Sequence, residues 1–220
     1  MDIFDLQLQE RIWRQQFFYN AFRYLAFNGI DGDYAEFGCW GGMTFWLAFI
    51  ESRRNRNKAR LWAFDSFQGL PPPESEKDQH PIWIPGSLSM SVEQFRVTCA
   101  NNGIPESEYS VVPGFYSESL DCMGAGDSPG NIALAYVDCD LYSSTRSVLN
   151  FLMPRIKHGM IIAFDDYFCG TAKQVSGERR AMMEAFGAHD KWQLLPYMQF
   201  GWGGQSFVVE DKGILASVDQ

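Results

Sequence analysis

Short apolar runs alternate along the chain with segments whose apolar residues follow a helical period. The runs that we interpret as strands are residues 34–37, 61–64, 109–112, 132–137, 160–164, 192–196 and 205–209. Runs of this length, bounded by Gly, Asn or Asp, are typical of buried strands rather than of helices. Helical periodicity covers residues 5–27, 91–100 and 172–186, and the segment between the fourth and fifth strands. This alternation predicts an α/β fold with a mostly parallel sheet.

The N-terminal segment, residues 1–30, is predicted to be helical. Apolar residues recur there at steps of four: Trp13, Phe17, Ala21 and Leu25. The spacing indicates an amphipathic helix, and we expect its aromatic stripe to pack on the sheet. The alternatives are a dimer contact, which leaves a homo-oligomer open, and a roof over a substrate pocket.

Residues 69–88 interrupt the pattern. The stretch is rich in proline and glycine, carries charges and Trp83, and shows no periodicity. A loop of this length inside a compact domain is often a lid over a binding site. We therefore predict a single domain over residues 1–220, with a candidate lid at 69–88.

Charge and composition exclude several classes of partner. The formal net charge is −9 and there is no basic stripe, which disfavours nucleic acid and anionic membranes. The five cysteines include no C-x-x-C pair, so they indicate neither a disulfide framework nor a zinc site. No apolar run approaches the roughly 20 residues of a membrane span, and the acidic N-terminus lacks a signal-like apolar stretch. We therefore expect a cytoplasmic protein.

Two acidic pairs end the strands of one strand–helix–strand unit, residues 131–167. The pairs are Asp138 with Asp140 and Asp165 with Asp166. A right-handed crossover places the carboxyl ends of both strands at one edge of the sheet, where open α/β sheets bind ligands. Four carboxylates would repel one another there unless a cation such as Mg²⁺ neutralised them. The alternative is that these acids are turn formers or helix caps.

A glycine-rich turn links the first strand to a helix. Its glycines, Gly38, Gly41 and Gly42, do not follow the G-x-G-x-x-G spacing, which disfavours a dehydrogenase. Glu36, just before the turn, suits a ligand with a cationic amino-acid group better than a pyrophosphate, which it would repel. Asp65 ends the second strand, where α/β folds bind ribose hydroxyls. Together these residues favour an adenosine-type ligand.

Three stretches within residues 34–167 carry a family resemblance. AEFGCWGG, FDSFQGLP and the pair VDCDLYSST with AFDDY resemble the macrocin O-methyltransferase (TylF) family. The resemblance implies a class I methyltransferase fold, a Rossmann-like, seven-stranded, mostly parallel sheet with helices on both faces. It also implies methyl transfer from S-adenosylmethionine, assisted by Mg²⁺, to a hydroxyl of a small molecule, commonly on a sugar of a glycosylated natural product.

By that resemblance Glu36 and Gly38 would hold the methionine part of the cofactor, and Asp65 the ribose. The residues predicted to form the cofactor site are Glu36, Phe37, Gly38, Gly41, Gly42, Thr44, Asp65, Ser66, Phe67, Gly114 and Asp138. The implied metal ligands are Asp138, Asp165 and Asp166. We further propose Asp140 as the general base, because residues 138 and 140 of an extended chain point to the same side. Its alternative roles are a metal ligand and a helix cap.

Two other functions are left open by the residues. Asp138-Cys139-Asp140 also matches the D-x-D with which a glycosyltransferase holds Mn²⁺ and a nucleotide sugar, although the glycine turn with Glu36 argues against it. The second alternative is a non-catalytic module that binds a cofactor or a partner, in which the acidic edge consists only of capped turns.

Overall fold

A computed structural model describes residues 3–124 and 127–217 of the chain, so residues 1 and 2 of the predicted N-terminal segment lie outside it. The strands are β1 (Asp33–Phe37), β2 (Leu61–Asp65), β3 (Tyr109–Pro113), β4 (Ile132–Val137), β5 (Ile161–Phe164), β6 (Trp192–Phe200) and β7 (Gly204–Asp211). The helices are α1 (Ile3–Phe27), α2 (Met43–Arg54), α3 (Val92–Asn101), α4 (Tyr116–Ser119), α5 (Tyr142–Leu152), α6 (Gly177–Phe186) and α7 (Lys212–Ala216).

The seven strands form one sheet in the order β3-β2-β1-β4-β5-β7-β6. Strands β1 to β5 pair in parallel, whereas β7 is antiparallel to both β5 and β6. The strand order reverses between β1 and β4, which is where a sheet of this type opens a binding crevice. The predicted fold, a seven-stranded and mostly parallel sheet of the class I methyltransferase type, is confirmed.

Hydrophobic clusters cover both faces of the sheet. One packs α1, α2 and α3 against residues such as Tyr34 and Tyr136, and the other packs α5 and α6 against residues such as Val137 and Phe164. In α1 the ring of Phe18 lies 5.9 Å from Tyr34 and 5.2 Å from Tyr136 between centroids. The expectation that the aromatic stripe of α1 packs on the sheet is therefore confirmed.

The start of one helix and the end of one strand differ by several residues from those predicted. Helix α6 begins at Gly177 rather than near residue 172, because the hydroxyl of Ser176 accepts the Arg179 N–H and caps the helix there. Strand β6 extends to Phe200, beyond the predicted end at residue 196, because it pairs with β7 along its length. Both differences reflect local polar contacts and pairing that hydrophobic periodicity does not register.

Hydrogen bonds hold residues 69–88, the candidate lid, at two places, the stem and the middle of the loop. Leu70 N–H donates to Ser87 O (3.0 Å) and Gly86 N–H to Leu70 O (2.8 Å), which closes the stem. Asp78, buried in a short 3-10 turn, accepts the Ser143 N–H at the start of α5 (2.8 Å). The loop therefore borders the carboxyl edge of the sheet, and its closure as a lid stays a prediction.

Helix α1 has the length but not the composition of a membrane span. Across the described ranges, 3–124 and 127–217, none of the helices is both long and apolar enough to cross a membrane.

Candidate active site

A cavity that is partly open to solvent lies at the carboxyl edge of the sheet. Its wall comes from the ends of β1, β2 and β4, the segment after β3, the loop at 69–88 and the first turns of α5. The lining residues are Gly38, Trp40, Asp65, Ser66, Gly69, Leu70, Pro71, Glu74, Leu88, Phe115, Tyr116, Ser117, Asp138, Cys139, Asp140, Ser143, Ser144 and Ser147. Of the predicted site residues, Gly38, Asp65, Ser66, Asp138 and Asp140 meet in this one cavity.

The glycine turn allows the ends of β1 and β4 to approach closely. Gly38 has φ 97, and a Cβ at this position would lie 1.8 Å from the carbonyl oxygen of Asp138. Gly42, with φ 66, occupies the N-cap of α2. Gly41 borders a separate shallow groove beside Trp40 rather than the cavity. The turn thus shapes the cavity mainly through Gly38.

Glu36 lies beneath the turn and not on the cavity wall. It is 0% exposed and accepts hydrogen bonds from the Tyr34 hydroxyl and, at 2.7 Å, from the Thr44 hydroxyl. Burial raises the pKa of Glu36 to about 8, although both hydrogen bonds act in the opposite direction. Phe37 points into the core, where its ring stacks on Phe64. Glu36, Phe37 and Thr44 therefore support the turn from below.

Asp65 organises the second wall of the cavity. Its two oxygens accept N–H groups from Cys39 and Phe67, each at 2.7 Å, so it joins the glycine turn to the segment after β2. Burial raises the pKa of Asp65, against the lowering effect of these two backbone donors. Gly114 N–H donates to the carbonyl of Asp65 at 2.9 Å. The next residues along the chain, 115–117, line the cavity.

Asp138 and Asp140 both reach the cavity, but not for the expected reason. The chain is not extended over residues 138–140, because Asp140 has φ 62 in the left-handed region. Leu141 N–H bonds to Cys139 O (2.6 Å), which closes a tight turn. Asp tolerates this conformation better than most residues, and backbone strain of this kind clusters at functional sites. Phe67 and Leu88, with φ 54 and 57, are further strained residues at or next to the cavity.

Asp165 and Asp166, the second acidic pair, are not among the residues that line the cavity. The Asp165 carboxylate accepts two hydrogen bonds from Arg14 of α1, from Nε at 3.0 Å and from Nη2 at 2.7 Å, and a third from the Tyr136 hydroxyl. Asp166 Oδ2 is buried and has no hydrogen-bond partner within the described residues. The two neighbours therefore differ, since Asp165 is neutralised within the protein and Asp166 keeps a free acceptor.

Glu178 of α6 fastens the two acidic turns to each other. Its carboxylate is 0% exposed and accepts the N–H of Cys139 (3.0 Å) and the N–H of Asp166 (2.9 Å). Each oxygen thus binds one of the two loops. Neither Glu178 nor Arg14 was predicted from the sequence, because each acts on residues far away along the chain and lies in no motif.

Burial and mutual repulsion disfavour ionisation of this cluster. Burial, followed by neighbouring carboxylates, raises the pKa of Asp138, Asp140 and Asp166, and also that of Glu178. For Asp138 the neighbours are Asp165, Asp166, Asp140 and Glu178. Clustered acids with such pKa values at a cavity are typical of a catalytic or metal-binding site.

The cluster fits a divalent cation only in part. The unpartnered Asp166 Oδ2 and the Asp138 side chain at the cavity are hard oxygen donors of the kind that Mg²⁺ prefers. The Asp165 oxygens, by contrast, already bind Arg14 and Tyr136. Within residues 3–124 and 127–217, no set of three or more His, Cys, Asp or Glu side chains is arranged as a ready ligand group.

Comparisons with known proteins show which family the chain belongs to. The model of the family described as Macrocin-O-methyltransferase (TylF) matches residues 12–189. The chain belongs to the macrocin O-methyltransferase family. All of the predicted site residues, together with Arg14 and Glu178, lie within the matched range.

Two curated relatives are similar to the chain. The 8-demethyl-8-(2,3-dimethoxy-alpha-L-rhamnosyl)-tetracenomycin-C 4'-O-methyltransferase of Streptomyces olivaceus is 30% identical over 148 residues, 64% of this chain and 54% of the relative. The demethyldecarbamoylnovobiocin O-methyltransferase of Streptomyces niveus is 26% identical over 164 residues, 71% of this chain and 61% of the relative. The matches thus span about half to three fifths of the length of these relatives.

One solved structure resembles this macrocin O-methyltransferase in its fold. The O-methyltransferase NovP superposes with a TM-score of 0.71 at 22% identity, covering 90% of this chain and 79% of NovP. At this level of identity the likeness shows the fold.

Proposed function

We propose that the chain is an S-adenosylmethionine-dependent O-methyltransferase that acts on a sugar hydroxyl of a glycosylated natural product, with a Mg²⁺ ion at the acidic cluster. The observation that carries this proposal is the shared cavity, in which Asp65 and Gly38 form one part of the wall and Asp138 and Asp140 another. A donor pocket and a proton acceptor that meet in one space are what methyl transfer to a hydroxyl requires.

The cofactor would lie across the glycine turn. Asp65 would accept hydrogen bonds from the ribose hydroxyls with the lone pairs that Cys39 and Phe67 leave free. Glu36, once ionised, would attract the cationic methionine end from beneath the turn, where low dielectric strengthens the interaction. Gly38 would let this end approach the backbone, and Ser66 and Asp138 would add wall contacts. Phe37, Gly41, Gly42, Thr44, Phe67 and Gly114 would shape the site from outside the wall.

Asp140 would act as the general base. S-adenosylmethionine supplies a methyl group already activated on a sulfonium, so the protein has to align the acceptor oxygen and remove its proton. Asp140 lies on the cavity wall and is held by a strained backbone turn. It would accept the hydroxyl proton as the carbon–oxygen bond forms and the carbon–sulfur bond breaks. The products would be the methyl ether and S-adenosylhomocysteine.

The proposal also includes a metal ion at the acidic cluster. Asp138 and Asp166 would hold it, and Asp165 would join them as the third ligand only on leaving Arg14. A Mg²⁺ ion in this position would lower the pKa of a coordinated hydroxyl. Chelator should then abolish methyl transfer and added Mg²⁺ restore it, and full activity in chelator would refute this part alone.

The acceptor class is proposed from the family. One relative is named for methylation at the 4' oxygen of a rhamnosyl tetracenomycin. A glycosylated small molecule is therefore the first acceptor to test, whereas the formal charge of −9 and the absence of a basic stripe disfavour nucleic acid. A cytoplasmic location and assembly into homo-oligomers stay predictions.

The decisive experiment combines binding with a turnover screen. Calorimetry with S-adenosylmethionine, S-adenosylhomocysteine and a nucleoside diphosphate separates a methyltransferase from a D-x-D glycosyltransferase. We expect the first two to bind and the third not to bind. A panel of rhamnosylated and other deoxysugar acceptors, followed by mass spectrometry, then tests for the methylated product. Folded protein that binds neither sulfonium cofactor nor its product would rule the proposal out.

A further inference from the structure

The N-terminal helix α1 places a positive charge inside the acidic cluster. Arg14 donates to both oxygens of Asp165, and the two side chains are only 15% and 10% exposed. Such a two-point guanidinium–carboxylate contact is the strongest geometry that this pair can adopt. The contact joins two elements that are 151 positions apart in the chain. Arg14 thus provides a cation to the carboxylate that was predicted to bind a metal ion.

Arg14 also has a second carboxylate within reach. Its Nη1 lies 2.5 Å from Glu10 Oε2, one turn earlier on α1. The Glu10 side chain is 26% exposed, so its charge remains partly hydrated. Releasing Asp165 would therefore not leave the guanidinium without a partner, which lowers the cost of breaking a largely buried ion pair.

Asp165 cannot serve Arg14 and a divalent cation equally well. Its Oδ1 already accepts from Arg14 Nε and from Tyr136, and its Oδ2 accepts from Arg14 Nη2. An ion bound by this carboxylate would also be repelled by the guanidinium a few ångströms away. The adjacent Asp166 Oδ2, by contrast, is buried and lacks a partner in the described part of the chain. One ligand of the predicted set is thus free and its neighbour is engaged.

We propose that Arg14 is a positioning residue that competes with a divalent cation for Asp165, and that Glu10 retains the guanidinium when the ion binds. The N-terminal helix then sets the metal affinity of the site. This inference rests on the metal-binding part of the proposed function. A purely structural ion pair would instead stabilise the fold without opposing the ion.

If Arg14 competes with the ion, substitutions of Arg14 and of Glu10 should change the dissociation constant for Mn²⁺ in opposite directions. Arg14→Gln removes the competitor, so the dissociation constant for Mn²⁺, measured by electron paramagnetic resonance on the cofactor-free protein, should fall by at least about fivefold. Glu10→Gln removes the alternative partner, so Arg14 should hold Asp165 more tightly and the constant should rise. The Glu10 substitution should have no effect in the Arg14→Gln background, because Glu10 acts through Arg14. Arg11→Gln, an exposed change on the same helix, is the matched control for loss of a positive charge and should change nothing.

Thermal unfolding provides a second readout that does not depend on activity. Arg14→Gln leaves Asp165 without its cation, so the variant should be less stable than the wild type without metal and should gain more in Tm from added Mn²⁺. Arg14→Lys keeps the charge but not the two-point contact, so its stability and its gain in Tm should lie between those of the wild type and Arg14→Gln. This variant replaces Arg14→Gln if the glutamine variant does not fold.

Three outcomes would overturn the inference. Equal Mn²⁺ affinity in the wild type and Arg14→Gln would overturn it while leaving the metal site intact, and weaker binding by the variant would show that Arg14 supports the ion. No Mn²⁺ binding by either protein would overturn it together with the metal part of the proposed function. Cofactor binding, measured separately, would still test methyl transfer.

Discussion

Gly38 and Asp138 occupy the same small space at the point where the sheet order reverses. A Cβ on Gly38 would lie 1.8 Å from the Asp138 carbonyl oxygen and 2.8 Å from its carbonyl carbon. The two backbones are held together there, because Asp138 N–H donates to Phe37 O at 2.8 Å. The site therefore depends on a glycine for backbone approach and not only for backbone conformation.

The first prediction compares two glycines of the same turn. Gly38→Ala must move the β4 end and should destabilise the protein well beyond the roughly 1–2 kcal/mol that a left-handed conformation costs an alanine. Gly41 also has a positive φ, but a Cβ there meets nothing within 4 Å, so Gly41→Ala should cost only that conformational term. Denaturant unfolding of both variants measures the difference. Equal losses would mean that the close approach is not the reason for Gly38.

The second prediction concerns Asp140. Asp140→Asn keeps the size of the side chain and tolerates φ 62, but it removes the base. Turnover should fall by about 10²–10⁴-fold, while the affinities for S-adenosylmethionine and the metal ion change little. Single-turnover kinetics and calorimetry measure the two quantities separately. Loss of metal affinity would instead assign Asp140 to the metal site.

The third prediction concerns the bridge from Glu178. Glu178→Gln retains one acceptor oxygen but turns an NH₂ group toward the other backbone N–H, so one of the two loops loses its partner. Unfolding free energy should fall by about 1–3 kcal/mol, the cost of leaving a buried donor unsatisfied. Turnover should fall as well, since the spacing of the acidic turns is no longer held.

Glu184→Gln is the matched control for this bridge. It lies on the same helix, and its side chain is 49% exposed and pairs with Lys77. We expect little change in stability or turnover for this variant. A similar loss in both variants would indicate a general effect on α6 instead of the bridge.

The fourth prediction follows from the pKa of Glu36, which burial raises from 4.5 to about 8. Between these values the folded state binds more protons than the unfolded state, so the free energy of unfolding falls as pH rises. The pKa values of the buried acids in the cluster are also raised, so these acids lower the free energy of unfolding in the same way as pH rises. The contribution of Glu36 is therefore the difference between wild type and Glu36→Gln, which should decrease between about pH 5 and pH 8. A difference that is constant over this range would contradict the raised pKa.

Part of the site at the carboxyl edge of the sheet could be predicted from local sequence patterns. Apolar runs, glycines and the right-handed crossover rule placed Asp138, Asp140, Asp165 and Asp166 at one edge, and the strands that carry them are indeed parallel neighbours. These features depend on periodicity and chain connectivity, which act over short separations. The extended chain predicted at Asp140 was wrong, because the tight turn depends on how β4 meets the following helix.

By itself, the sequence determined the α/β alternation, the glycine turn and the acidic edge, because each follows from short-range periodicity or from the handedness of one crossover. Only the tertiary structure decided which carboxylate is free and which is engaged. Arg14 meets Asp165, and Glu178 joins Cys139 to Asp166, through contacts between elements that no local propensity brings together. Burial then raises the pKa of Asp166 and of Glu178, and burial is a property of the packed chain.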